Sequence, residues 1–513
     1  MQVAPRGAAH STYGQSQVLG GIIINMTLLP TFIKVEKEEE FVDVGGGDLW
    51  VDVLHETLKH GLTPRSWTDY LYLTIGGTLS VGGISGQSFK HGPQISNVLE
   101  LDVITGKGEF VTCSEEKDSD LFYGVLGGFG QFGIITRARI ILQSAPKLVK
   151  WVVISYKSFE QFRKDQELLI NGGEVDYLEG FINLQRRNST EDKLNDLVSY
   201  LIEFAVYYDD EDVAHKKLNH ILPRLNYKES RPEITDTSYF DFLNRVRKSE
   251  LELSKEGLWN VPHPWLNVFV PRSQIKRFKN LLLESIADTY TSGPIIIYPI
   301  FRNKWNPKMS AVLPQVDTEE DIIYVVSVLQ SAPPTCTRGT PCLDTMLLQN
   351  QKIIDIATTE PKVLNLLLPA ECVMNEDMEE MGAKQYMPYL QNEIQWKAHF
   401  GWKWERIQDL KRRAITPLKL YFDDGVAYYD DLEHKLSQIL RGTKRKGLDI
   451  KAFMIRRGAE SRALRSSALG FSPSKHYNIG VLGNKVPKLS GTQSRALGFT
   501  SLKSSGAQCQ GIV

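Results

Sequence analysis

From Thr74 to Gln87 the chain reads TIGGTLSVGGISGQ, with glycine at positions 76, 77, 82, 83 and 86. Glycine loses more backbone freedom on folding than any other residue, so a run this dense marks a place where backbone must come close to another backbone or to a ligand. Just ahead of it, PRSWTDYLYL sets a carboxylate, Asp69, among Trp67, Tyr70 and Tyr72. An acid held among aromatic rings loses solvation, which raises its pKa and suits it to proton abstraction. The plainer reading of a single Asp in a loop is a turn or cap. The glycines that follow favour a bound cofactor.

To about residue 145 the texture stays the same. Runs such as ISNVLELDVITGKGEF and FGIITRARIIL alternate like short strands, and glycine-rich turns and an occasional helix (DLWVDVLHETLKHG) separate them, which predicts an α+β domain. Its first turn, PRGAAHSTYGQ, presents His10 as a metal ligand, a base or a nucleophile toward an electrophilic cofactor, or as an ordinary surface or core histidine. Only MQVA precedes that turn, so the expectation is that the sequence begins inside its first domain. GFGQFG, with Gly128, Gly130 and Gly133, has dinucleotide-fold spacing, but a helix-like run precedes it and a β-branched run follows. That order is the reverse of the strand–turn–helix the motif requires, so these glycines are read as a turn.

From about 146 to 386, longer helical patterns alternate with strands: SFEQFRKDQELLI, DFLNRVRKSELELSK and SQIKRFKNLLLESIADTY, then GPIIIYPI and TMLLQNQKIIDIAT. This is the texture of a domain that covers a substrate. Within it HPWLNVFVPRS puts His263, Trp265 and Asn267 on one face of an extended segment, where a planar ring could stack beside an amide; ordinary packing serves as well.

A formal net charge of −1 argues against a nucleic-acid partner, which demands a concentrated basic face, and leaves small molecules as the better expectation. The five cysteines show neither a CxxC pair nor a Cys/His ligand spacing, so no metal site and no disulfide framework is expected. The apolar run VLGGIIINMTLLPTFI is interrupted by Asn25, Thr27 and Pro30; it reads as a buried strand and turn, not a membrane span or a signal peptide. Asn25 and Asn188 lie in glycosylation sequons, which also arise by chance. From Arg441 to Arg465 nine Lys/Arg stand against two acids, and Ser/Gly-rich text follows, so residues 414–513 are expected to form an atypical, disordered tail.

RGAAHSTYGQ, the long stretch FVDVGGGDLWVDVLHETLKHGLTPRSWTDYLYLTIGGTLSVGGISGQSFKHGPQISNVLELDVITGKGE, LGGFGQFGIITRARI and GLWNVPHPWLNVFVPRS together resemble the plant cytokinin oxidase/dehydrogenases, from about Val3 to about Lys411. The resemblance implies a two-domain α+β flavoprotein fold of the vanillyl-alcohol-oxidase type. Its FAD-binding domain would come from both chain ends (1–145 and the return segment 387–413), and the cytokinin-binding α+β domain would span 146–386. It implies FAD linked covalently to the histidine of an RGHGHS turn, here RGAAHS with His10, and flavin contacts at Ser11, Gln15, Asp69, Thr74, Ser80, Ile84, Ile135 and Tyr386. Asp69 becomes the base and Glu203 the residue that helps hold the adenine, the two forming the catalytic set. Trp265, Asn267 and Met387 fall at substrate-pocket positions.

The activity so implied is oxidative cleavage of a cytokinin's isoprenoid side chain to adenine and an unsaturated aldehyde, in a monomer, with a quinone or O2 as electron acceptor. Relatives of this kind are often extracellular. The chain departs from the pattern at Ala9, which replaces a glycine and strains the turn if that position has positive φ. It departs also at residues 358–381, which read as an insertion, and at both ends, where expected segments are missing. A sugar or alcohol oxidase, or an inactive flavin-free fragment, are the alternatives.

Overall fold

In FGIITRARIIL, the side chains of Ala138, Ile140 and Leu142 turn inward and are buried, while Arg137 and Arg139 face the other way. There Arg137 donates to Asp102 (2.7 Å) and Asp43 (2.6 Å), and Arg139 to Asp43 (2.8 Å). This period-two division of a strand into an apolar and a charged face builds the first half of the protein. The computed structural model describes residues 3–185, 197–227, 230–287, 293–315, 321–336, 340–358, 381–390, 392–415 and 454–455.

Strands β1 (Val3–Arg6) and β2 (Ile22–Asn25) pair in parallel on either side of the N-terminal turn. Then come β3 (Ile33–Glu36), β4 (Phe41–Gly45), α1 (Trp50–Leu58), β5 (Leu62–Pro64), α2 (Ile75–Leu79), α3 (Ser88–His91), β6 (Val98–Thr105), β7 (Phe110–Ser114), α4 (Ser119–Val125) and β8 (Gly133–Ser144). Six of the strands form an antiparallel sheet in the order β3-β4-β8-β6-β7, with β5 on β8. GFGQFG is the turn between α4 and β8, as its context requires. At the β4–α1 turn the backbone is packed against backbone. A Cβ on Gly46 would stand 2.1 Å from the Ile135 carbonyl oxygen and one on Gly47 1.9 Å from that of Met26, so no other residue fits.

The second half is an eight-stranded antiparallel sheet in the order β12-β9-β11-β10-β14-β15-β13-β16. It is built from β9 (Leu148–Tyr156), β10 (Tyr177–Leu184), β11 (Val198–Tyr208), β12 (Glu233–Ser238), β13 (Leu266–Pro271), β14 (Ile295–Phe301), β15 (Ile322–Val328) and β16 (Lys384–Gln385). Helices α5 (Phe159–Gly172), α6 (Glu211–Ile221), α7 (Tyr239–Leu243), α8 (Arg245–Lys255), α9 (Ile275–Ile286) and α10 (Pro341–Thr358) accompany it. Sequence signals set the ends of α5: Ser158 caps it by accepting from the Gln161 amide, and Gly173 leaves it at φ 70°. Strands β13, β14 and β15 are apolar nearly throughout and buried on both faces.

The chain then enters α11 (Glu393–Phe400) and α12 (Trp404–Ile415). These return to the first half: Arg413 donates to Asp120 at the start of α4 (2.8 Å) and Lys411 to Gln131 (3.0 Å). Finally β17 (Met454–Ile455) pairs antiparallel with β2. Of the tail expected to be disordered from 414, Ala414 and Ile415 instead end α12, with Ala414 buried, and Met454 and Ile455 form β17; its remainder, the expected insertion at 358–381 apart from its ends, and Asn188 lie outside the described residues.

Two expectations are corrected. DFLNRVRKSELELSK is two helices: Tyr239, Phe242 and Leu243 of α7 are buried, α8 buries none of its residues, and Asn244 (φ −91°, ψ 11°) turns the chain out of the core between them. Cys336 and Cys342 form a disulfide across the approach to α10, with Cα atoms 6.0 Å apart, while Cys113 is free and buried. The bond joins Cys336, in the loop, to Cys342 in the first turn of α10, six positions on, a spacing that belongs to no recognisable cysteine motif.

Candidate active site

The N-terminal turn leans on the glycine-rich segment. Gly7 lies so close to Thr74 that a Cβ there would meet Thr74 Oγ1 at 2.1 Å. Ala9 sits at φ 64°, the left-handed region that an L side chain occupies at a cost of about 1–2 kcal/mol, so the strain expected of this replacement is present. The His10 ring keeps solvent access while facing Tyr70 (5.1 Å between centroids) and Trp259 (6.4 Å). Crowding by these neighbours desolvates it and lowers its pKa, against a smaller opposing pull from Glu250. Ser11 Oγ and Ser16 Oγ are 2.9 Å apart, and Gln15 Oε1 accepts from the Tyr13 amide (3.0 Å). Tyr13 OH donates to the Trp265 carbonyl (3.0 Å), tying this turn to the second half.

Asp69, on the loop between β5 and α2, reaches the seam between the halves. Its Oδ1 accepts from Ser85 Oγ (2.6 Å) and lies 3.4 Å from Tyr177 OH and 3.7 Å from Arg245 Nη2. Its Oδ2 takes no hydrogen bond from the described residues, and about a third of the side chain is exposed (31%). The groups on the carboxylate are therefore polar. Trp67 instead packs on Trp50, and Tyr70 turns toward His10 and Tyr72, which corrects the expectation of an acid enclosed by rings.

Behind Asp69, β10 and β11 pair so that Glu179 and Glu203 stand directly opposite each other, both buried. Two adjacent carboxylates in a strand pair repel unless a cation or a proton intervenes. Arg245, the first residue of α8, supplies the cation: its Nε is 3.3 Å from Glu203, its Nη2 3.7 Å from Glu179, and it donates to Tyr177 OH. Its guanidinium also stacks over the rings of Tyr177 and Phe242, 4.9 Å from each centroid. Burial, with repulsion from the neighbouring acids, raises the pKa of Glu179 well above the carboxylate range and that of Glu203 in the same direction, while Arg245 opposes both shifts.

The far wall comes from β13 and β16. The Tyr386 amide donates to the Asn267 carbonyl (3.0 Å), and the Tyr386 hydroxyl accepts from the Gly83 amide (3.0 Å), which closes the ring of segments back to the glycine-rich arm. Burial raises the Tyr386 pKa. Met387 follows, half-buried. Asn267 is buried in β13; Trp265 precedes the strand, its ring 5.6 Å from that of His263, which is held by Ser331 and the Trp259 carbonyl (3.0 Å each). Thr74 is buried beneath the turn, Ser80 Oγ donates to the Gly76 carbonyl (2.7 Å), Ile84 is half-buried and Ile135 lies in the core.

Sequence reasoning missed Glu179, Arg245, Tyr177 and Ser85. A signal existed for Glu179, an acid inside the apolar run YLEGFINL, as Glu203 is inside SYLIEFAVYY. Arg245 heads a charge-rich helix that looks solvated throughout.

Around this seam Thr12 Oγ1, Trp265 Nε1 and both amide atoms of Gln94 are buried with no hydrogen-bond partner among the described residues. Each such group costs about 1–3 kcal/mol unless something polar meets it. Gly14, two residues on from Thr12, opens onto free space. A large polar cofactor fits this lining.

An antiparallel sheet with a glycine-rich arm, facing a second sheet across such a seam, defines a two-domain FAD-linked oxidase fold. The fold is shared with 6-hydroxy-D-nicotine oxidase from Arthrobacter nicotinovorans, at a TM-score of 0.55 and 16% identity over 80% of this chain and 83% of that one. Residues 1–114 match the family described as FAD binding domain, and residues 146–421 match the one described as cytokinin dehydrogenase 1, FAD and cytokinin binding. Cytokinin dehydrogenase 3 of Oryza sativa subsp. japonica is 45% identical over 434 residues, 80% of this chain and 79% of that protein. Cytokinin dehydrogenase 2 of Arabidopsis thaliana is 45% identical over 439 residues, 82% of each. The chain belongs to the cytokinin dehydrogenase family.

Proposed function

We propose that this protein oxidises the isoprenoid side chain of a cytokinin, with Asp69 as the base that takes the proton from the side-chain amine. The observation that carries the reading is the state of the Asp69 carboxylate: Oδ1 is pinned by Ser85, while Oδ2 is unengaged and reachable at the seam. A base held at one oxygen has its other oxygen aimed. Bound FAD supplies the acceptor for the hydride that leaves the carbon next to the amine nitrogen. The resulting imine takes up water and splits into adenine and an unsaturated aldehyde, and the electrons pass on to a quinone or to O2.

In this reading His10 carries the FAD covalently; Ser11, Gln15, Thr74, Ser80, Ile84, Ile135 and Tyr386 line its site; Trp265, Asn267 and Met387 enclose the substrate; and Glu203 helps hold the adenine. A neutral His10, its proton weakly held through desolvation, suits formation of a bond to an electrophilic ring. The Glu179 carboxyl, kept protonated by burial, is a donor for a purine nitrogen. Arg245 supplies the cation that faces the carboxyls around it. The protein acts as a monomer, with an FAD-binding domain made of 1–145 and the return segment 387–413 and a substrate domain at 146–386.

The test is bleaching of the flavin absorbance by N6-isopentenyladenine against a panel of sugars and alcohols, with and without Asp69→Asn. Bleaching by the adenine alone, slowed ~10²- to 10⁴-fold in the variant, is the expected result. Bleaching by a sugar instead removes the substrate assignment, and undiminished bleaching in the variant removes Asp69 from its role. Flavin that stays with acid-precipitated protein, and is released from His10→Ala, reports the covalent bond.

A further inference from the structure

We infer that Arg245 is a positioning residue of this site: it fixes which of the three carboxylates around it carry charge and holds Asp69 ready as the base. The inference rests on the reading of Asp69 given above, and it extends that reading to a residue on a helix that is otherwise a surface feature.

The geometry carries it. Asp69 comes from the first half of the molecule, Glu179 and Glu203 from adjacent strands of the second, and one guanidinium lies within 3.7 Å of all three. The planar fork is held from several sides. Nη1 donates to the Phe242 carbonyl (3.2 Å), Nη2 to Tyr177 OH, and the rings of Tyr177 and Phe242 flank the group. A cation so fixed cannot follow a carboxylate that moves, so it defines where Asp69 Oδ1 rests while Ser85 holds the same oxygen from the other side. Charge counting gives the consequence. Three ionised acids against one cation would leave two buried negative charges unmatched, so protons must reside on the acids that are most deeply buried. Those are Glu179 and Glu203; the partly exposed Asp69 is the acid left to meet the guanidinium at the seam. The groups facing this cluster are Asp69 from the loop before α2, Tyr177 and Glu179 from β10, Glu203 and Tyr207 from β11, Tyr298 from β14, and Arg245 itself from α8. Among them Arg245 is the positive one.

A side chain that served only by packing would change stability and leave the proton inventory alone, whereas a cation acting by charge changes both. The two roles separate in Arg245→Met, which keeps length without charge, and Arg245→Lys, which keeps charge without the fork. In the full flavin-loaded chain, Arg245→Met is expected to move the acid limb of the kcat/KM profile for N6-isopentenyladenine to higher pH by more than about one unit, and to lower kcat/KM ~10²-fold or more at neutral pH. Arg245→Lys is expected to restore the limb to within about half a unit while leaving a residual ~10-fold loss from the missing fork. Independently of any substrate, infrared titration of the protonated-carboxyl band should show one more protonated carboxyl just above the parent's acid limb in Arg245→Met than in the parent, and parent-like behaviour in Arg245→Lys. If the parent chain ignores the adenine substrate, the proposed function fails and the infrared comparison still decides about Arg245. A limb and a carboxyl band that stay in place in Arg245→Met would overturn the inference. If Arg245→Met does not fold, Arg245→Lys decides: a parent-like limb and band with reduced kcat/KM support it, and full parental kcat/KM overturns it.

Discussion

The two halves of the molecule hold their shape by different means. Around the β4–α1 turn of the first half, backbone lies directly on backbone, and the positions of Gly46 and Gly47 are filled by the carbonyl oxygens of Ile135 and Met26. In the second half the sheet is padded by large apolar side chains such as Phe204, Phe269 and Tyr324, and its distinctive feature is a knot of ionisable groups, the buried Glu179 and Glu203 with Arg245. Gly180, next to Glu179, shows that the second half also uses close backbone approach, though sparingly. The first half thus tolerates almost no added volume at its turns, and the second almost no change in its balance of protons and charges.

The sharpest test of the first statement is Gly47→Ala. A methyl group 1.9 Å from the Met26 oxygen forces the backbone apart, at a cost expected to be ~3 kcal/mol or more. Domain stability is only ~5–15 kcal/mol, so the midpoint of urea denaturation should fall steeply and flavin content with it. An unchanged midpoint would show that the turn yields easily and would dissolve the contrast.

The second statement is tested by pH. Glu179 has its pKa raised in the folded chain, so between the unfolded value, ~4.3, and the folded one the native state holds a proton that the unfolded chain has released. Stability contributed by this group is full below the unfolded pKa and declines as pH rises through the folded one, with a limiting slope of about 1.4 kcal/mol per pH unit for one proton. Glu179→Gln, which carries no titrating proton, should flatten this decline and raise the melting temperature at neutral pH relative to the parent. The expected readout is a smaller difference between melting temperatures at pH 5 and pH 8. If parent and variant run parallel across that range, the buried carboxyl is not the proton-holder inferred here.

The contrast also explains what could be read in advance. Strands and helices that carry a period of their own, such as β8 with its alternating Arg137, Ala138, Arg139 and Ile140, were legible, as was the rejection of GFGQFG as a dinucleotide motif. Asp69 stood out because aromatic and glycine-rich text surrounds it, yet its true neighbours, Ser85, Tyr177 and Arg245, come from 16, 108 and 176 positions away in the chain. Charge compensation is a property of register and packing, and no local pattern encodes it. Glu179 and Glu203 become a pair only through the alignment of β10 with β11. The break at Asn244, which brings Arg245 to the site, interrupts what reads as one amphipathic helix because burial stops there while the periodicity does not.

The smallest expected effect lies in the turn that bears His10, and it runs opposite to the usual direction. Ala9 occupies φ 64°, a conformation open to glycine at no steric cost. Ala9→Gly removes that strain but also enlarges the freedom of the unfolded chain, and the two terms oppose each other; where φ is positive the strain term is the larger. The net gain should be ~0.5–1 kcal/mol, read as a rise of a few degrees or less in melting temperature. Because the turn rests on Thr74 and points His10 toward Tyr70, relief of strain should leave the ring where it is and the rate of flavin attachment unchanged or faster. A loss of stability in Ala9→Gly would mean that the alanine methyl makes a contact worth more than the strain, and the first half would then owe some of its order to side-chain packing even at this turn.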